Sequence, residues 1–338
     1  MILVTGGTGL VGAHLLYQLV KSGHNVRAIY RDLERTKKTQ RVFSYYAEDY
    51  LELFNRIEWV AGDILDITSL NLAFKDVTAV YHAAAFISFD PRDRKKLMKT
   101  NVEGTSNIVN LCVAHKIKKL CYTSSIAAIG PSLDNSKVTE NNDWIEGNNT
   151  DYANSKYDAE MEVWRGTQEG VPAIIVNPGV ILGPGYWKTG SGLFFHAVYK
   201  GQKYYLPKGT GFVGVNDVAK AMIDLMDSTI KNERYILVSQ NISFKKITQI
   251  IAKGLKKPVP KKELSIAMLG ILWRLDWVRS KITGKRRRLS KTTAEILRTK
   301  QLYDNSKIKE QLTTYNFEDL EQVILECCAI YLVENSWE

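Results

Sequence analysis

The stretch Ile2-Leu3-Val4-Thr5-Gly6-Gly7-Thr8-Gly9-Leu10-Val11-Gly12 sets the architecture that the rest of the 338-residue chain must fit. Ile2–Thr5 reads as a short buried strand, and Ala13, Leu16, Leu19 and Val20 place apolar side chains at helical spacing through Gly12–Lys21. Between the two, Gly6 permits a tight turn, Gly9 lets backbone approach a pyrophosphate, and Gly12 lets helix and strand pack closely. A helix that opens behind such a turn offers free N–H groups and the positive end of its dipole to phosphate. Thr5, Gly6, Gly7, Thr8, Gly9, Leu10, Val11 and Gly12 are therefore candidate dinucleotide contacts. Glycine-rich turns are common, so the weight comes from the strand–turn–helix context and from the repetition that follows it.

Working outward, Val26–Tyr30, Ile57–Ala61, Ala79–His82 and Lys119–Thr123 read as further strands, and Ala173–Asn177 as a sixth, bounded by Pro172 and Pro178. Asn101–Ala114 and Tyr152–Gly166 read as helices, and the long connection 31–56 holds another around Thr36–Ala47. Repeated β-α units with near-continuous apolar strands predict an α/β fold, a Rossmann-type doubly wound parallel sheet covered on both faces. After Pro178 glycines and prolines cluster through 179–214 and the strands shorten, to Phe212–Val215 and Tyr235–Val238. Helices follow at Asp217–Asp227, Phe244–Gly254, Leu264–Lys281 and Leu320–Val333. The division expected is a dinucleotide-binding domain over 1–178, with later returns at about 212–240, and a smaller, mainly substrate-binding lobe over 179–338. Ligands of open α/β sheets bind at the carboxyl edge, where that lobe would close.

Hydrophobic residues make up 45% and charged residues 24%, which excludes collagen-like, low-complexity and disordered classes. Cys112, Cys121, Cys327 and Cys328 are too few and too poorly spaced for a disulfide framework or a zinc site, and read as reduced thiols. The five histidines (14, 24, 82, 115 and 196) include no i,i+4 pair, and no metal is expected. Met1 leads directly into the glycine motif with no room for a targeting segment, and no apolar run approaches ~18 residues, so the expected home is the cytoplasm.

Charge is unevenly placed. The chain carries +10, yet 241–300 holds 17 Lys and Arg against three acids, a net +14 that leaves −4 for everything else. The densest run is Gly284-Lys285-Arg286-Arg287-Arg288. It reads as a solvated face or as a contact for an anionic partner, with nucleic acid excluded because no reading motif accompanies it. Just before it, Ile266, Leu269, Leu272, Trp273, Leu275, Trp277 and Val278 crowd one helix with little polar face. Two readings stand: a helix buried in the small lobe, or an apolar lid or peripheral membrane contact through 265–291, with Lys281 and Lys285–Arg288 on anionic headgroups. The second reading implies a lipophilic substrate.

Two places carry chemistry. Tyr30 is followed by Arg31, suited to a bidentate phosphate contact, which favours NADP through its 2′-phosphate; Asp32 leaves NAD open. Tyr152-Ala-Asn-Ser-Lys156 puts a phenol and an ammonium on one helical face, and a nearby cation stabilises phenolate, as a general acid needs. The pair follows the fifth strand, whose end carries Ser124-Ser125.

Together these segments resemble the extended short-chain dehydrogenases/reductases, the NAD-dependent epimerase/dehydratase family, over almost the full length. Gly62-Asp63-Ile64-Leu65-Asp66 resembles the segment whose first Asp lies beside the adenine, and Tyr81-His82-Ala83-Ala84-Ala85 the turn that lines the cofactor. Asn101-Val-Glu-Gly104-Thr105 resembles the helix start that supports a proton relay, and Asn177-Pro178-Gly179-Val180-Ile-Leu-Gly183-Pro184-Gly185 the nicotinamide-side loop. The resemblance implies a catalytic set of Ser125, Tyr152, Lys156 and Asn101. It implies cofactor contacts from Asp63, Ile64, His82, Ala83, Ala84, Ala85, Ser124, Asn177, Pro178, Gly179 and Val180, with Tyr152 and Lys156. Substrate contacts fall on Phe86, Ser125, Tyr152 and Gly179. Val26–Asp32 and the Asn177 loop look most like the dihydroflavonol reductase and cinnamoyl-CoA reductase branch, where Arg31 and Lys38 would approach the 2′-phosphate. Leu302–Lys307 resembles an element of the 3β-hydroxysteroid dehydrogenase branch, whereas 255–300 has no counterpart in a plant reductase pocket. The expected function is NADP-dependent reduction of a ketone or aldehyde by hydride transfer, with Tyr152 as acid. A nucleotide-sugar epimerase or dehydratase is the alternative, and a non-catalytic dinucleotide sensor a third reading. A homodimer through Asn101–Ala114 and Tyr152–Gly166 is implied by resemblance alone.

Overall fold

A computed structural model describes residues 1–134, 136–147, 149–287, 289, 294 and 301–335. Arg288 of the basic run, with residues 290 and 291 of the expected membrane contact, lies outside the described residues. Strands β1 (Ile2–Thr5), β2 (Val26–Tyr30), β3 (Glu58–Ala61), β4 (Ala79–His82), β5 (Lys119–Thr123) and β6 (Ala173–Pro178) alternate with helices. These are α1 (Leu10–Lys21), α2 (Thr36–Phe43), α3 (Tyr50–Asn55), α4 (Ile67–Ala73), α5 (Arg94–Leu97), α6 (Gly104–Ala114) and α7 (Asp151–Gln168). Beyond them come β7 (Val180–Leu182), α8 (Gly192–Tyr199), β8 (Tyr204–Tyr205), β9 (Gly209–Gly214), α9 (Val215–Asp227), β10 (Glu233–Leu237) and β11 (Gln240–Ser243). The chain ends through α10 (Phe244–Gly254), β12 (Lys262–Glu263), α11 (Ile266–Thr283), α12 (Ser306–Gln311) and α13 (Leu320–Asn335).

The main sheet has seven parallel strands in the order β10-β6-β5-β4-β1-β2-β3. Chain direction across the sheet reverses between β1 and β4, so a crevice opens at their carboxyl ends, beside the glycine turn. Strand side chains alternate faces. Val4 joins Leu16, Val218 and Met222 on the side of α1 and α9, while Leu3 joins Ile108, Tyr122 and Val163 on the side of α6 and α7. Leu16 is fully buried, and cutting it to Ala would cost about 2–5 kcal/mol. Lys119 is also buried, its Nζ donating to the carbonyls of Leu225, Met226 and Ser228 at the end of α9. A second core, holding Phe195, Ile247, Ile251, Ile324 and Tyr331, joins α8, α10 and α13, and Leu182 of β7 and Phe212 of β9 tie the three-stranded sheet β11-β9-β7 to it.

Several expectations are redrawn. β10 returns to the main sheet beside β6, but Gly209–Gly214 belongs to the small one. The helix expected to Ala47 ends at Phe43, because Tyr46 turns to stack on Tyr17 at 4.9 Å. Pro178 is inside β6, paired with Leu237, and the next donor, Gly179 N, bonds the Leu237 carbonyl at 3.0 Å. The expectation of a buried helix over 264–281 fails: in α11 only Leu269 and Gly270 are buried, and Ile271, Leu275 and Trp277 are 59%, 59% and 47% exposed. A helix apolar on all sides packs one small patch here and leaves the rest outside. All four cysteines are buried and unpaired.

Candidate active site

The glycine turn is built for backbone approach. Gly6 takes φ +74°, and a Cβ there would lie 2.6 Å from the Ala83 carbonyl carbon; one on Gly12 would meet the Gly6 oxygen at 2.2 Å. Gly9 caps α1 without a side-chain hydrogen bond, and the first turn holds no acid. The first N–H groups of α1 thus have no side-chain acceptor, which is the donor set a pyrophosphate requires. Around them the chain is stitched down: Thr39 Oγ1 donates to the Gly7 carbonyl at 2.9 Å and Tyr186 Oη to the Thr8 carbonyl at 3.0 Å.

At the end of β2 the two residues that bear on cofactor choice separate. Asp32 accepts from Glu34 N at 3.1 Å, capping a 3₁₀ turn, and sits 3.7 Å from Arg35. Arg31 is 58% exposed, 3.9 Å from Asp63, whose other oxygen accepts from Leu65 N at 3.0 Å. An exposed pair at that distance holds little energy and leaves the guanidinium free to turn to a phosphate. Lys38 is exposed on α2. Ile64, by contrast, is buried against Gly104.

The turn after β4 hangs on Thr5. Its Oγ1 meets His82 Nδ1 at 2.6 Å and accepts from Ala84 N at 3.3 Å, and its carbonyl accepts from Ala83 N at 3.2 Å. Thr105 Oγ1 meets the other His82 nitrogen at 3.0 Å. Burial, with Lys156 nearby, lowers His82 to about 3, so the ring is a neutral strut. Asn101 sits in the π-helical turn Met98–Glu103, accepts from Phe86 N at 2.7 Å, and donates to the Phe86 carbonyl at 3.0 Å and to Ser155 Oγ at 2.9 Å. It therefore ties the Phe86 backbone to α7.

Thr150 caps α7 by accepting from Ala153 N at 3.0 Å, which fixes the turn that carries Tyr152. Ser125 caps the 3₁₀ turn Ile126–Ala128 and offers a hydrogen bond to the Tyr152 phenol. Burial raises the phenol's pKa and that bond opposes the rise. One helical turn on, the Lys156 Nζ donates to Tyr122 Oη at 2.6 Å and to the Thr123 carbonyl at 2.7 Å. Burial lowers Lys156 to about 7, with Glu160 pulling the other way. Phenol, hydroxyl and amine are thus gathered where β5 ends and α7 begins, a set able to hydrogen-bond a carbonyl oxygen and hand it a proton.

Residues that the sequence reading passed over support this set. Glu160 is fully buried, accepts from Ser124 Oγ at 2.7 Å and Asn177 Nδ2 at 2.9 Å, and pairs with Arg234 at 3.0 Å. Asn177 also donates to the Ser125 carbonyl at 3.0 Å, so Glu160 anchors both the Ser124-Ser125 turn and the start of the Pro178-Gly179-Val180 loop. Its signal was present, since Tyr152, Lys156 and Glu160 lie at i, i+4 and i+8 of one helix. Phe89, whose ring lies 5.7 Å from that of Tyr152, had none. No group of three or more metal-type ligands occurs among the described residues, and no described helix is long and apolar enough to cross a membrane.

The family model for the NAD dependent epimerase/dehydratase family matches residues 2–237. A putative dihydroflavonol 4-reductase of Synechocystis is 30% identical over 91% of this chain and 88% of its own length. Sterol demethylase protein B of Methylococcus capsulatus is 29% identical over 77% of this chain and 76% of its own. The crystal structure of gox2253 superposes with a TM-score of 0.82 at 26% identity, covering 99% of this chain and 98% of that one.

Proposed function

The chain belongs to the NAD dependent epimerase/dehydratase family and is an NAD(P)-dependent oxidoreductase of the extended short-chain dehydrogenase/reductase type, and on that premise we propose that it is an NADP-dependent reductase of a lipophilic ketone or aldehyde. The observation that carries the reading is the gathering of Ser125, Tyr152 and Lys156 beside a turn whose backbone donors suit a pyrophosphate. Thr5–Gly12, Arg31 and Lys38 would hold the cofactor, and Lys156 its nicotinamide end. The bound cofactor supplies hydride. Ser125 Oγ–H hydrogen-bonds the carbonyl oxygen, and Tyr152 Oη–H passes its proton to that oxygen as negative charge develops there. Lys156, when protonated, stabilises the phenolate left on Tyr152. Asn101 keeps the Phe86 backbone in place beside α7.

Arg31 favours NADP over NAD because Asp32, the carboxylate that a ribose hydroxyl would use, is engaged in capping the next turn. A lipophilic substrate is supported by Ile87 and Phe89, 58% and 50% exposed on the segment beside Tyr152, and by the sterol named in one relative. By the same reading the protein works in the cytoplasm, with 265–291 as its peripheral contact, and pairs into a homodimer through α6 and α7. The test is NADPH oxidation by the purified chain across a panel of lipophilic ketones and aldehydes. Turnover with NADPH well above that with NADH supports the proposal. Cofactor that co-purifies, resists exchange and shows no net oxidation would overturn it in favour of an epimerase.

A further inference from the structure

Helix α11 carries its apolar side chains on the outside. Ile271, Leu275, Val278 and Ile282 recur at i, i+4, i+7 and i+11, one stripe down the helix, and are 59%, 59%, 42% and 79% exposed. Leu272 and Trp277 flank the stripe at 38% and 47% exposed. Single apolar side chains scatter over any protein surface, but a continuous exposed stripe of this kind marks a binding face. Its surroundings are basic: Arg274, Lys281 and Lys285 are exposed on or just beyond the helix, within the segment 241–300 that carries +14.

The charge decides what covers the stripe. A second copy docked about a twofold axis would bring two such basic clusters face to face. A nucleic acid would answer the charge and leave the apolar stripe in water. An anionic bilayer answers both, taking Ile, Leu and Val side chains at the acyl boundary, Trp at the interface and Lys or Arg at the headgroups. We propose that α11 and the basic residues on and after it form a docking surface for an anionic lipid bilayer, set at the mouth of the active site.

The link to the site is a clasp. Arg286 pairs with Asp93 at 3.0 Å, Arg287 N donates to Asp90 at 3.0 Å, and Arg92 donates to the Gly284 carbonyl at 3.1 Å. Asp90 and Asp93 are 5% and 7% exposed, so the segment behind α11 is tied to a built acidic turn rather than to passing surface charge. That turn follows directly on Phe89, whose ring stands against Tyr152, and Ile87 and Phe89 are exposed apolar residues at the same place. A docked α11 therefore holds the approach to Tyr152 at the lipid surface. Delivery of substrate from the bilayer follows if the reductase reading holds; the docking itself is independent of it.

The test is flotation of the full chain with phosphatidylcholine vesicles and with vesicles of phosphatidylcholine plus phosphatidylglycerol. Co-flotation with the anionic vesicles alone, reversed by salt, is expected. Each basic residue at such a surface is worth roughly a fivefold change in binding, so Lys281→Glu with Lys285→Glu should weaken it by at least ~25-fold. Ile271→Ser, Leu275→Ser and Val278→Ser together remove exposed apolar contacts and should abolish it, with NADPH binding unchanged in both variants. Equal flotation with neutral vesicles, or none with either, would overturn the proposal. So would a dimer that the serine variant splits without any vesicle binding. Loss of NADPH binding by the parent chain would instead strike the reductase reading and leave the vesicle result standing.

Discussion

Replacing Lys156 by Met removes a titration that the fold displaces, and the size of the effect can be worked out. The side chain is 1% exposed, and its burial lowers it from 10.5 to about 7 against the pull of Glu160. At ~1.4 kcal/mol per pH unit, the folded chain disfavours the ammonium by about 5 kcal/mol relative to the unfolded chain. The unfolded lysine keeps its proton up to its ordinary pKa, whereas the folded one releases it near neutrality. Across that window the unfolded state binds more protons, so stability rises with pH. Between about pH 7 and 9 this group alone should add roughly 2 kcal/mol to the parent chain, and Lys156→Met should gain nothing from it. The assay is urea unfolding of cofactor-free parent and variant at both pH values, read as a double difference so that other titrating groups cancel. Parallel pH dependences, agreeing within ~0.5 kcal/mol, would refute the reasoning. They would mean that the attraction of Glu160 outweighs burial and that Lys156 stays a cation throughout.

Three further changes read other parts of the account. Arg31→Gln should weaken NADPH binding by roughly 10- to 100-fold, the worth of a charge-assisted phosphate contact, and leave NADH binding unchanged; equal losses in a fluorescence titration would deny Arg31 that role. Glu160→Gln leaves Arg234 without its carboxylate and should lower unfolding stability by about 3–5 kcal/mol, with the drop much reduced in an Arg234→Gln background; an undiminished drop would remove the ion pair from the explanation. Asp217 has one buried oxygen without a partner, and burial raises its pKa from 3.8 to about 7. A raised carboxyl contributes stability below its unfolded pKa and loses it as pH climbs through the folded one. Asp217→Asn should therefore nearly match the parent at pH 4 and exceed it above pH 7 by about 4 kcal/mol; equal thermal midpoints at both ends would contradict this.

What was legible in the sequence was local. Gly9 and Gly12 act on their own turn and helix, and Tyr152 and Lys156 share a helical face, so spacing together with the position of each after a strand exposes both, whereas the Ala83 backbone that requires Gly6 comes from another segment. The partners of these residues come from elsewhere in the chain: Lys156 meets Tyr122 on β5, and Glu160 meets Arg234 on β10. Only the strand order β10-β6-β5 brings those residues to α7, and no pattern within one segment encodes that order. Asn101 was marked by resemblance as a relay member, yet its hold on the Phe86 backbone depends on the π-helical turn, which periodicity does not report. Helix α11 defeated the pattern for a different reason. A helix apolar on every side gives no direction in which to face it, so burial had to be seen.

The measurement that bears most directly on the central claim is turnover of Tyr152→Phe. The change deletes one hydroxyl from a ring that still packs near Phe89 and leaves the glycine turn and Arg31 untouched. NADPH binding should match the parent chain within error, while carbonyl reduction falls by about 10²–10⁴-fold, the usual worth of a positioned general acid. Undiminished turnover in the phenylalanine variant, with cofactor bound normally, would take the proton donor away from Tyr152 and with it the proposed mechanism.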